Sequence, residues 1–158
     1  MIRAMEPKDI PAVRAVAEAS WHAAYAGIIP PDAQDRFLRN AYGDEMMAMR
    51  LARSLMLVAE REGGIVGFAN FSRVREGGEA ELAAIYLLPG HQGEGIGTAL
   101  LQAGLAGSAG AKFVCANVEA DNRTGMNFYT AKGFKAVGEF EDELEGHASR
   151  MVRMRLEL

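Results

Sequence analysis

Three glycines at alternating positions are the residues whose spacing most clearly points to chemistry. Gly93, Gly95 and Gly97 lie between an apolar stretch and a segment with helical spacing. Alternating glycines let the backbone curl tightly and let a ligand approach the main chain. The free N–H groups of such a loop, with the positive end of a helix dipole behind them, form a site for an anion. The loop therefore predicts a phosphate or pyrophosphate site.

Two better-known glycine loops do not fit this segment. A P-loop requires GxxxxGK[ST], and no lysine stands at the required place. A dinucleotide fingerprint requires GxGxxG, whereas Gly95 and Gly97 are followed by Thr98, Ala99 and Leu100. The remaining alternative to an anion site is a plain flexible loop before a glycine-rich helix start. The position between a strand and a helix favours the anion site.

The length and composition indicate one ordinary globular domain over residues 1–158. Hydrophobic residues make up 49% and charged residues 24%, which argues against a disordered or fibrous chain. The net charge is −4, whereas a general binder of nucleic acid usually carries the opposite sign. We therefore expect any anionic ligand to be held by a local site, with no nucleic acid as a partner.

The cysteine and apolar content exclude other classes. There is 1 Cys, so neither an internal disulfide nor a multi-cysteine metal site can form. The histidines are dispersed without ligand spacing, so we expect no metal. The longest apolar runs are far shorter than the ~20 residues of a membrane span, and the N-terminus lacks a signal-peptide pattern. We expect a cytoplasmic protein without a membrane partner, either a monomer or a homodimer.

Hydrophobic spacing predicts an α+β domain, with a central mixed sheet and helices on its faces. The run over 80–88 is nearly continuous, which is typical of a strand covered on both faces. We predict helices over 7–21, 95–109 and 122–132, a helical region broken near Gly43, and strands over 1–5, 55–60, 65–71, 80–88, 113–118, 134–140 and 150–156, the last two joined by an acidic turn.

Four segments of the chain resemble one known family, and three of them follow one another in the family's order over about residues 80–140. Gln92–Gly97 matches the motif Q/R-x-x-G-x-G/A, and Glu81–Pro89 looks like the strand that precedes it. Val118–Asn122 followed by Asn127–Phe134 resembles the family's N…FYxKxGF segment. The N-terminal stretch Trp21–Pro30 is similar to a bacterial branch. On these motifs the chain is identified as a member of the GCN5-related N-acetyltransferases, which use acetyl-coenzyme A.

The resemblance implies a three-layer α/β/α domain whose mixed, mostly antiparallel sheet splays between its fourth and fifth strands. It implies transfer of an acetyl group from acetyl-CoA to a primary amine of a small molecule or peptide. The residues that it implies for cofactor binding are the backbone of Ile85, Tyr86 and Leu87, the loop residues Gln92, Gly93, Glu94, Gly95, Ile96, Gly97 and Thr98, and the pair Asn122 and Tyr129.

Acetyl transfer needs a neutral amine, hydrogen-bond donors for the oxyanion and a proton for the departing thiolate. The resemblance assigns the oxyanion donor to the N–H of Leu87 and the general acid to Tyr129, a phenol with a pKa of about 10. The alternative for Tyr129 is packing beside Phe128. Glu81 is the candidate to hold a water that takes the amine proton. A solvated Glu81, with a water relay as the base, stays open.

The acceptor pocket is expected between the early helices and the final strand pair. Trp21, Tyr25 and Ile28 are the candidates for one side, and Glu141–Glu145 lies opposite. An acidic rim would attract a cationic amine such as a polyamine. The alternative is a turn that only favours solubility, so the sequence does not identify the acceptor.

Cys115 alternates with Phe113 in a predicted strand, so we interpret it as a small buried hydrophobe. A buried thiol stays protonated and inert, which favours direct transfer in a ternary complex. A non-catalytic acyl-CoA sensor of the same fold stays open, although Tyr129 and Asn122 favour an enzyme. The glycine loop disfavours an interaction module without a ligand.

Overall fold

The computed structural model describes residues 1–158, which form seven strands and five α-helices. A short 3₁₀ helix, Pro7–Asp9, leads into the first α-helix. In chain order the elements are β1 (Ile2–Ala4), α1 (Ile10–Tyr25), α2 (Pro31–Ala41), α3 (Asp44–Arg53), β2 (Leu55–Arg61), β3 (Gly64–Phe71), β4 (Glu79–Leu87), α4 (Ile96–Ala106), β5 (Phe113–Glu119), α5 (Arg123–Ala131), β6 (Lys135–Leu144) and β7 (His147–Glu157).

The strands form one sheet in the order β1-β2-β3-β4-β5-β7-β6. Only β4 and β5 run parallel, so the sheet is mixed and mostly antiparallel. These two strands pair over Glu79–Glu81 alone, opposite Phe113–Cys115. Beyond Glu81 they separate, which confirms the predicted splay.

Hydrophobic cores lie on both faces of the sheet, which confirms the three-layer arrangement. One core of 17 buried residues packs α4 and α5 against the sheet, with Leu100 and Tyr129 among its members. The other, of 14 buried residues, packs α1, α2 and α3 against the opposite face around Val13 and Phe68. The sheet is therefore packed against helices on both faces. None of the helices is both long and apolar enough to cross a membrane.

A close helix–strand contact fixes the position of α4. A Cβ added at Gly104 would lie 1.9 Å from Cε1 of Phe71, far inside van der Waals contact. Only glycine permits this approach of α4 to β3. The contact holds the helix against the sheet, so the N-terminus of α4 lies at a fixed place beside the end of β4.

The final hairpin differs from its sequence prediction. The segment expected to be an acidic turn is mostly strand, because Glu141–Leu144 continue β6 and pair with β7. The turn itself is Glu145–Gly146, and both residues have positive φ, at 51° and 82°. Two such residues match the twist of a tight hairpin. The pairing of Glu141 with Arg150 also places opposite charges across the strands.

Two further element predictions were wrong in part. Helix α1 continues to Tyr25 instead of ending at Trp21, since its last turn still buries apolar side chains. Strand β4 is not covered on both faces along its length. Ala83 is exposed and Ala84–Leu87 are only half-buried, because this part of β4 faces the gap left by the splay.

Candidate active site

The splay of β4 from β5 opens a cavity of about 710 Å³, here called the cleft. A glycine-rich turn and the start of α4 close one end, and α1 and α5 form the sides. The cleft is lined by 26 residues, whose polar members include Ser20, Tyr25, Gln92, Thr98, Asn117, Asn122, Thr124, Asn127, Tyr129 and Lys132. Lys132 is the only formally charged side chain among them, so the cleft suits an anionic ligand although the chain is acidic overall.

The edge of β4 presents peptide groups to the cleft. The Leu88 N–H donates to the Val66 carbonyl in β3, at 2.8 Å. Because peptide groups alternate along an antiparallel strand, those of Ile85 and Leu87 face the other way, where β5 has departed. The Leu87 carbonyl accepts a hydrogen bond from Ser20 Oγ at 2.6 Å. The Leu87 N–H therefore remains available to a ligand.

Tyr86 differs from its two neighbours on β4. It is opposite Phe68 in the β3 register, so the same alternation turns its peptide groups towards β3. Tyr86 still lines the cleft, and its ring packs with the second core. Of the three backbone contacts expected from the sequence, the structure therefore directs those of Ile85 and Leu87 to the cleft.

The glycine loop adopts the conformation that its composition predicts. Gly90, Gly93 and Gly95 have φ values of +94°, +81° and +81°, a region that favours glycine. Gly95 is the N-cap of α4, and its carbonyl accepts the first helical hydrogen bond, from Ala99 N–H at 3.0 Å. The N–H groups of the first turn therefore have no acceptor within the helix. They belong to Ile96, Gly97 and Thr98.

The other loop residues divide into cleft lining and support. Gln92 lines the cleft, together with Gly93, Gly95, Gly97 and Thr98. The Glu94 carboxylate lies outside the lining, 3.0 Å from His91 Nδ1. The Ile96 side chain is buried in the core below the loop. A Cβ on Gly97 would approach Phe128 Cε1 to 2.9 Å, so this glycine also permits contact between α4 and α5.

Tyr129 lies in the wall of the cleft with its ring almost wholly buried. The ring makes edge contacts with Phe128 and Phe134, at centroid distances of 5.6 and 5.2 Å. Burial raises the pKa of the Tyr129 phenol well above its usual range, and the neighbouring Tyr25 adds to the shift. The phenol is therefore protonated at neutral pH. Packing and proton donation are compatible here, because the ring packs while the residue faces the cleft.

Asn122 connects α5 to α1. Its Oδ1 accepts a hydrogen bond from the Gly125 N–H at 3.0 Å, which caps α5. Its Nδ2 donates to the Tyr25 hydroxyl at 3.3 Å. Tyr25, predicted to contact the acceptor, therefore lies in the cleft wall beside the cap. Burial raises the pKa of the Tyr25 phenol.

The structure does not bring Glu81 to the cleft. This residue lies in the part of β4 that pairs with β5, and its carboxylate is 3.6 Å from Arg75 Nη2. Glu79, two residues earlier, pairs with Arg75 and Arg153 at 3.0 and 3.1 Å. Both carboxylates thus take part in ion pairs at the closed end of the strand pair.

A second cavity of about 120 Å³ lies on the face of β4 that carries α2 and α3, and it is here called the aromatic pocket. Ala83, Ala84 and Tyr86 line both this pocket and the cleft, so the two are neighbours. The remaining walls are Phe37, Tyr42, Arg50, Phe68 and Asn70.

Trp21 and Ile28, predicted to line the acceptor site with Tyr25, lie outside both cavities. Trp21 is buried behind the aromatic pocket, and its ring stacks on Phe37 at 4.5 Å. Ile28 packs against the second core. Sequence reasoning missed Phe37 and Arg50, because no local motif marks them. Lys132 lies within the segment Asn127–Phe134 that resembles the family motif, and this resemblance was the available signal for it.

The splayed sheet, the free helix N-terminus and the buried phenol meet in one cleft between two parallel strands, an arrangement that suits an extended, anionic ligand. The family model described as Acetyltransferase (GNAT) family matches residues 15–134. The chain belongs to this family of acetyltransferases. The family assignment made from the sequence motifs is thereby confirmed.

Sequence relatives agree with this assignment. An uncharacterized N-acetyltransferase of Bacillus subtilis is 33% identical over 106 residues, which are 65% of this chain and 61% of that protein. One of Mycobacterium tuberculosis is 37% identical over 97 residues, covering 60% and 62%. The match thus spans about three-fifths of either relative. Spermidine N(1)-acetyltransferase of Thermoplasma acidophilum is 30% identical over 142 residues, covering 85% of this chain and 87% of that protein.

Solved structures share the fold over the whole chain. PaiA N-acetyltransferase from Thermoplasma acidophilum, solved with coenzyme A, has a TM-score of 0.84 at 24% identity and covers 100% of this chain and 98% of its own. YncA from Salmonella typhimurium, solved with acetyl-CoA, has a TM-score of 0.69 at 23% identity, with coverage of 100% and 93%.

Proposed function

We propose that this protein transfers the acetyl group of acetyl-CoA directly to a primary amine of a small molecule or peptide, within a ternary complex. One observation carries the proposal: the cleft joins unpaired helix N–H groups at one end to the Tyr129 phenol in its wall. PaiA was solved with coenzyme A and YncA with acetyl-CoA, which supports acetyl-CoA as the acetyl donor.

The groups along the cleft match the chemistry of coenzyme A in three ways. The first turn of α4 supplies N–H donors for a pyrophosphate, and Lys132 supplies a positive charge. The free edge of β4 at Ile85 and Leu87 suits amide groups that add to the sheet as a further strand. Residues from five segments of the chain line the cleft, so an extended ligand could contact all five.

The reaction forms a C–N bond and breaks a C–S bond. The Leu87 N–H is the protein donor for the negative charge that develops on the carbonyl oxygen. Tyr129 gives its proton to the sulfur as the thiolate leaves. The amine loses its proton to water, because the cleft lining contains no carboxylate and Glu81 is paired elsewhere. Tyr129 then regains a proton from solvent.

Transfer without an acetyl-enzyme follows from the position of Cys115. The thiol lies in β5, is 2% exposed and does not line the cleft. Burial raises the pKa of this thiol, so it is a poor nucleophile at neutral pH. We therefore expect intersecting initial-rate lines when donor and acceptor are both varied. Cys115→Ser should keep most of the activity.

Donor binding is tested by the melting temperature with acetyl-CoA, which should rise as the ligand binds the native state. Gly95→Val should abolish that rise, because φ near +81° is strained for valine and the loop must change. Gly110→Val is the matched control. Gly110 also has positive φ, at +85°, with open space around a Cβ, but it lies outside the loop. Equal loss of the ligand shift in both variants would contradict the loop's role.

Catalysis is tested by release of free CoA thiol across a panel of amines. An increase above the rate of hydrolysis with at least one amine is expected. Acetyl-CoA binding without transfer to any amine would instead favour a non-catalytic acyl-CoA sensor. Parallel initial-rate lines, with an acetyl group on Cys115 by mass spectrometry, would overturn direct transfer.

A further inference from the structure

The aromatic pocket has the location of a subsite for the acceptor, an inference that rests on the proposed function. Tyr86, Ala83 and Ala84 separate it from the cleft and line both cavities. These residues belong to the same stretch of β4 that presents the Leu87 N–H. A group held in the aromatic pocket can therefore extend an amine towards the place where transfer occurs.

Four of the eight residues that line the aromatic pocket carry aromatic rings. Phe68 makes an edge contact with Tyr42 at 6.0 Å and a tilted contact with Tyr86 at 5.7 Å. Phe37 forms another wall and is backed by Trp21. An apolar cavity of about 150 Å³ accepts a benzene molecule. By volume, a pocket of about 120 Å³ has room for a group of about the size of a leucine side chain.

Arg50 gives the aromatic pocket its only formal charge. Its guanidinium lies over the Tyr42 ring, 4.6 Å from the centroid, and donates to the Ala41 carbonyl. Its Nη1 also lies 3.6 Å from Met47 Sδ, and the guanidinium forms no ion pair with a carboxylate of the protein. Burial raises the pKa of Tyr42 to about 12, which keeps that phenol neutral. The pocket is thus positive at physiological pH.

The acidic residues of the final hairpin do not reverse this charge. Glu145 pairs with Arg36 of α2 at 3.5 Å and accepts a hydrogen bond from Asn40 at 3.3 Å. The carboxylates of β6 are exposed and line neither cavity; they are Glu139, Glu141, Asp142 and Glu143. An ammonium group inside the pocket would therefore meet Arg50 and no compensating carboxylate.

We propose that the acceptor is a small amine that also carries a carboxylate, with its aliphatic part in the aromatic pocket and its carboxylate on the Arg50 guanidinium. A guanidinium binds a carboxylate through paired, charge-assisted hydrogen bonds. A polyamine, the substrate in the name of the Thermoplasma relative, would place a second cation beside Arg50. Like charges at such distances repel. This chain should therefore prefer an amino acid to a polyamine.

The test compares L-leucine with 3-methylbutylamine, which is the same molecule without the carboxylate, and with spermidine. Binding to the protein saturated with CoA is followed by the fluorescence of Trp21, the single tryptophan, whose ring stacks on the pocket wall. L-Leucine should bind about 10- to 100-fold more tightly than 3-methylbutylamine, as expected for hydrogen bonds between charged groups. Spermidine should bind most weakly.

Variants of Arg50 assign the preference to its charge. Arg50→Gln should remove the advantage of L-leucine over 3-methylbutylamine, whereas Arg50→Lys should retain part of it. Arg53→Gln is the matched control, because Arg53 is exposed in the last turn of the same helix and lines neither cavity. It should leave the ratio unchanged.

Equal or tighter binding of 3-methylbutylamine or spermidine by the unaltered protein would overturn the proposal. So would an unchanged binding ratio in Arg50→Gln. Thiol release from acetyl-CoA is measured in parallel. Selective binding of L-leucine without transfer to any amine would leave the pocket's ligand class standing and refute catalysis. Transfer to amines without selectivity for L-leucine would support catalysis and overturn the proposed ligand class of the pocket.

Discussion

The two halves of β4 differ in what they contribute. Over Glu79–Leu82 the strand is paired with β5 or packed in the core, and Ala80 and Leu82 are buried. Over Ala83–Leu87 the same strand borders the cleft and is exposed or half-buried. The difference teaches that one strand can anchor the sheet at one end and supply a binding edge at the other.

The physical basis is the register of the parallel pair. Each residue pair that β4 and β5 form satisfies backbone groups within the protein. After Glu81 the strands separate, so the outward peptide groups of β4 need other partners. Ser20 satisfies the Leu87 carbonyl from α1, and the Leu87 N–H is left for a ligand. The site therefore exists because pairing stops.

Removal of the Tyr129 hydroxyl should have the largest effect. Tyr129 lies on α5 and lines the cleft that the open half of β4 borders. Tyr129→Phe deletes the proposed general acid, which should lower kcat by about 10²–10⁴. The ring contacts with Phe128 and Phe134 are kept, so the melting temperature and the shift with acetyl-CoA should change little. An unchanged kcat, with chemistry limiting, would reduce Tyr129 to a packing residue and weaken the contrast between the halves.

Truncation of leucines on the two sides of the boundary should next separate stability from function. Leu82 is 2% exposed, so Leu82→Ala should cost about 2–5 kcal/mol of unfolding free energy, measured with denaturant. Leu87 is only half-buried, and Leu87→Ala should cost clearly less. Equal losses would show that the open half is as structural as the paired half.

Loss of the Ser20 hydroxyl should have a smaller effect, again on the open half. Ser20→Ala removes the hydrogen bond to the Leu87 carbonyl, which is worth about 0.5–1.5 kcal/mol. We expect a modest rise in the Kd for acetyl-CoA, because the edge of β4 is held less firmly. Isothermal titration checks this. The control is Glu18→Ala, which should leave the Kd unchanged because Glu18 is exposed. Ala17→Gly would not serve as a control, because Ala17 is fully buried.

The alkaline side of the pH profile should show the smallest change. Tyr129, the proposed general acid, is active only while its phenol is protonated, and burial raises the pKa of this phenol above the usual value of about 10. The acid therefore stays protonated up to and beyond pH 10, while the acceptor amine becomes increasingly neutral. Rates measured from pH 7 to 10 should rise or level off without a descending limb. A fall centred below pH 9, with the protein still folded, would contradict Tyr129 as the acid.

Local pattern was sufficient to predict the parts of the site that lie within one segment. The glycine loop, the strand before it and the helix after it are contiguous, so spacing alone located Gly93 and Gly95. The capping role of Asn122 follows from its place before α5. The burial of Cys115 follows from strand alternation. The family motifs also lie in these segments, which is why fold and family could be predicted and are confirmed.

Other features depend on contacts between distant segments. Glu81 and Leu87 are six positions apart on one strand, yet only the point at which β5 departs places one in an ion pair and the other at the cleft. Tyr25 joins the cap of α5, while its neighbour Trp21 backs a different cavity. A helical period places side chains on a face but does not tell which cavity that face meets.

The sequence by itself determined the layered α+β fold and located the glycine loop and the candidate acid, because each rests on local periodicity or on a contiguous motif. Only the tertiary structure decided where β4 opens, that Glu81 pairs with Arg75 outside the cleft lining, and that Arg50 joins Phe68 and Tyr86 around one pocket. The physical reason is that register and helix docking are set by packing across the whole core, which short-range patterns do not encode.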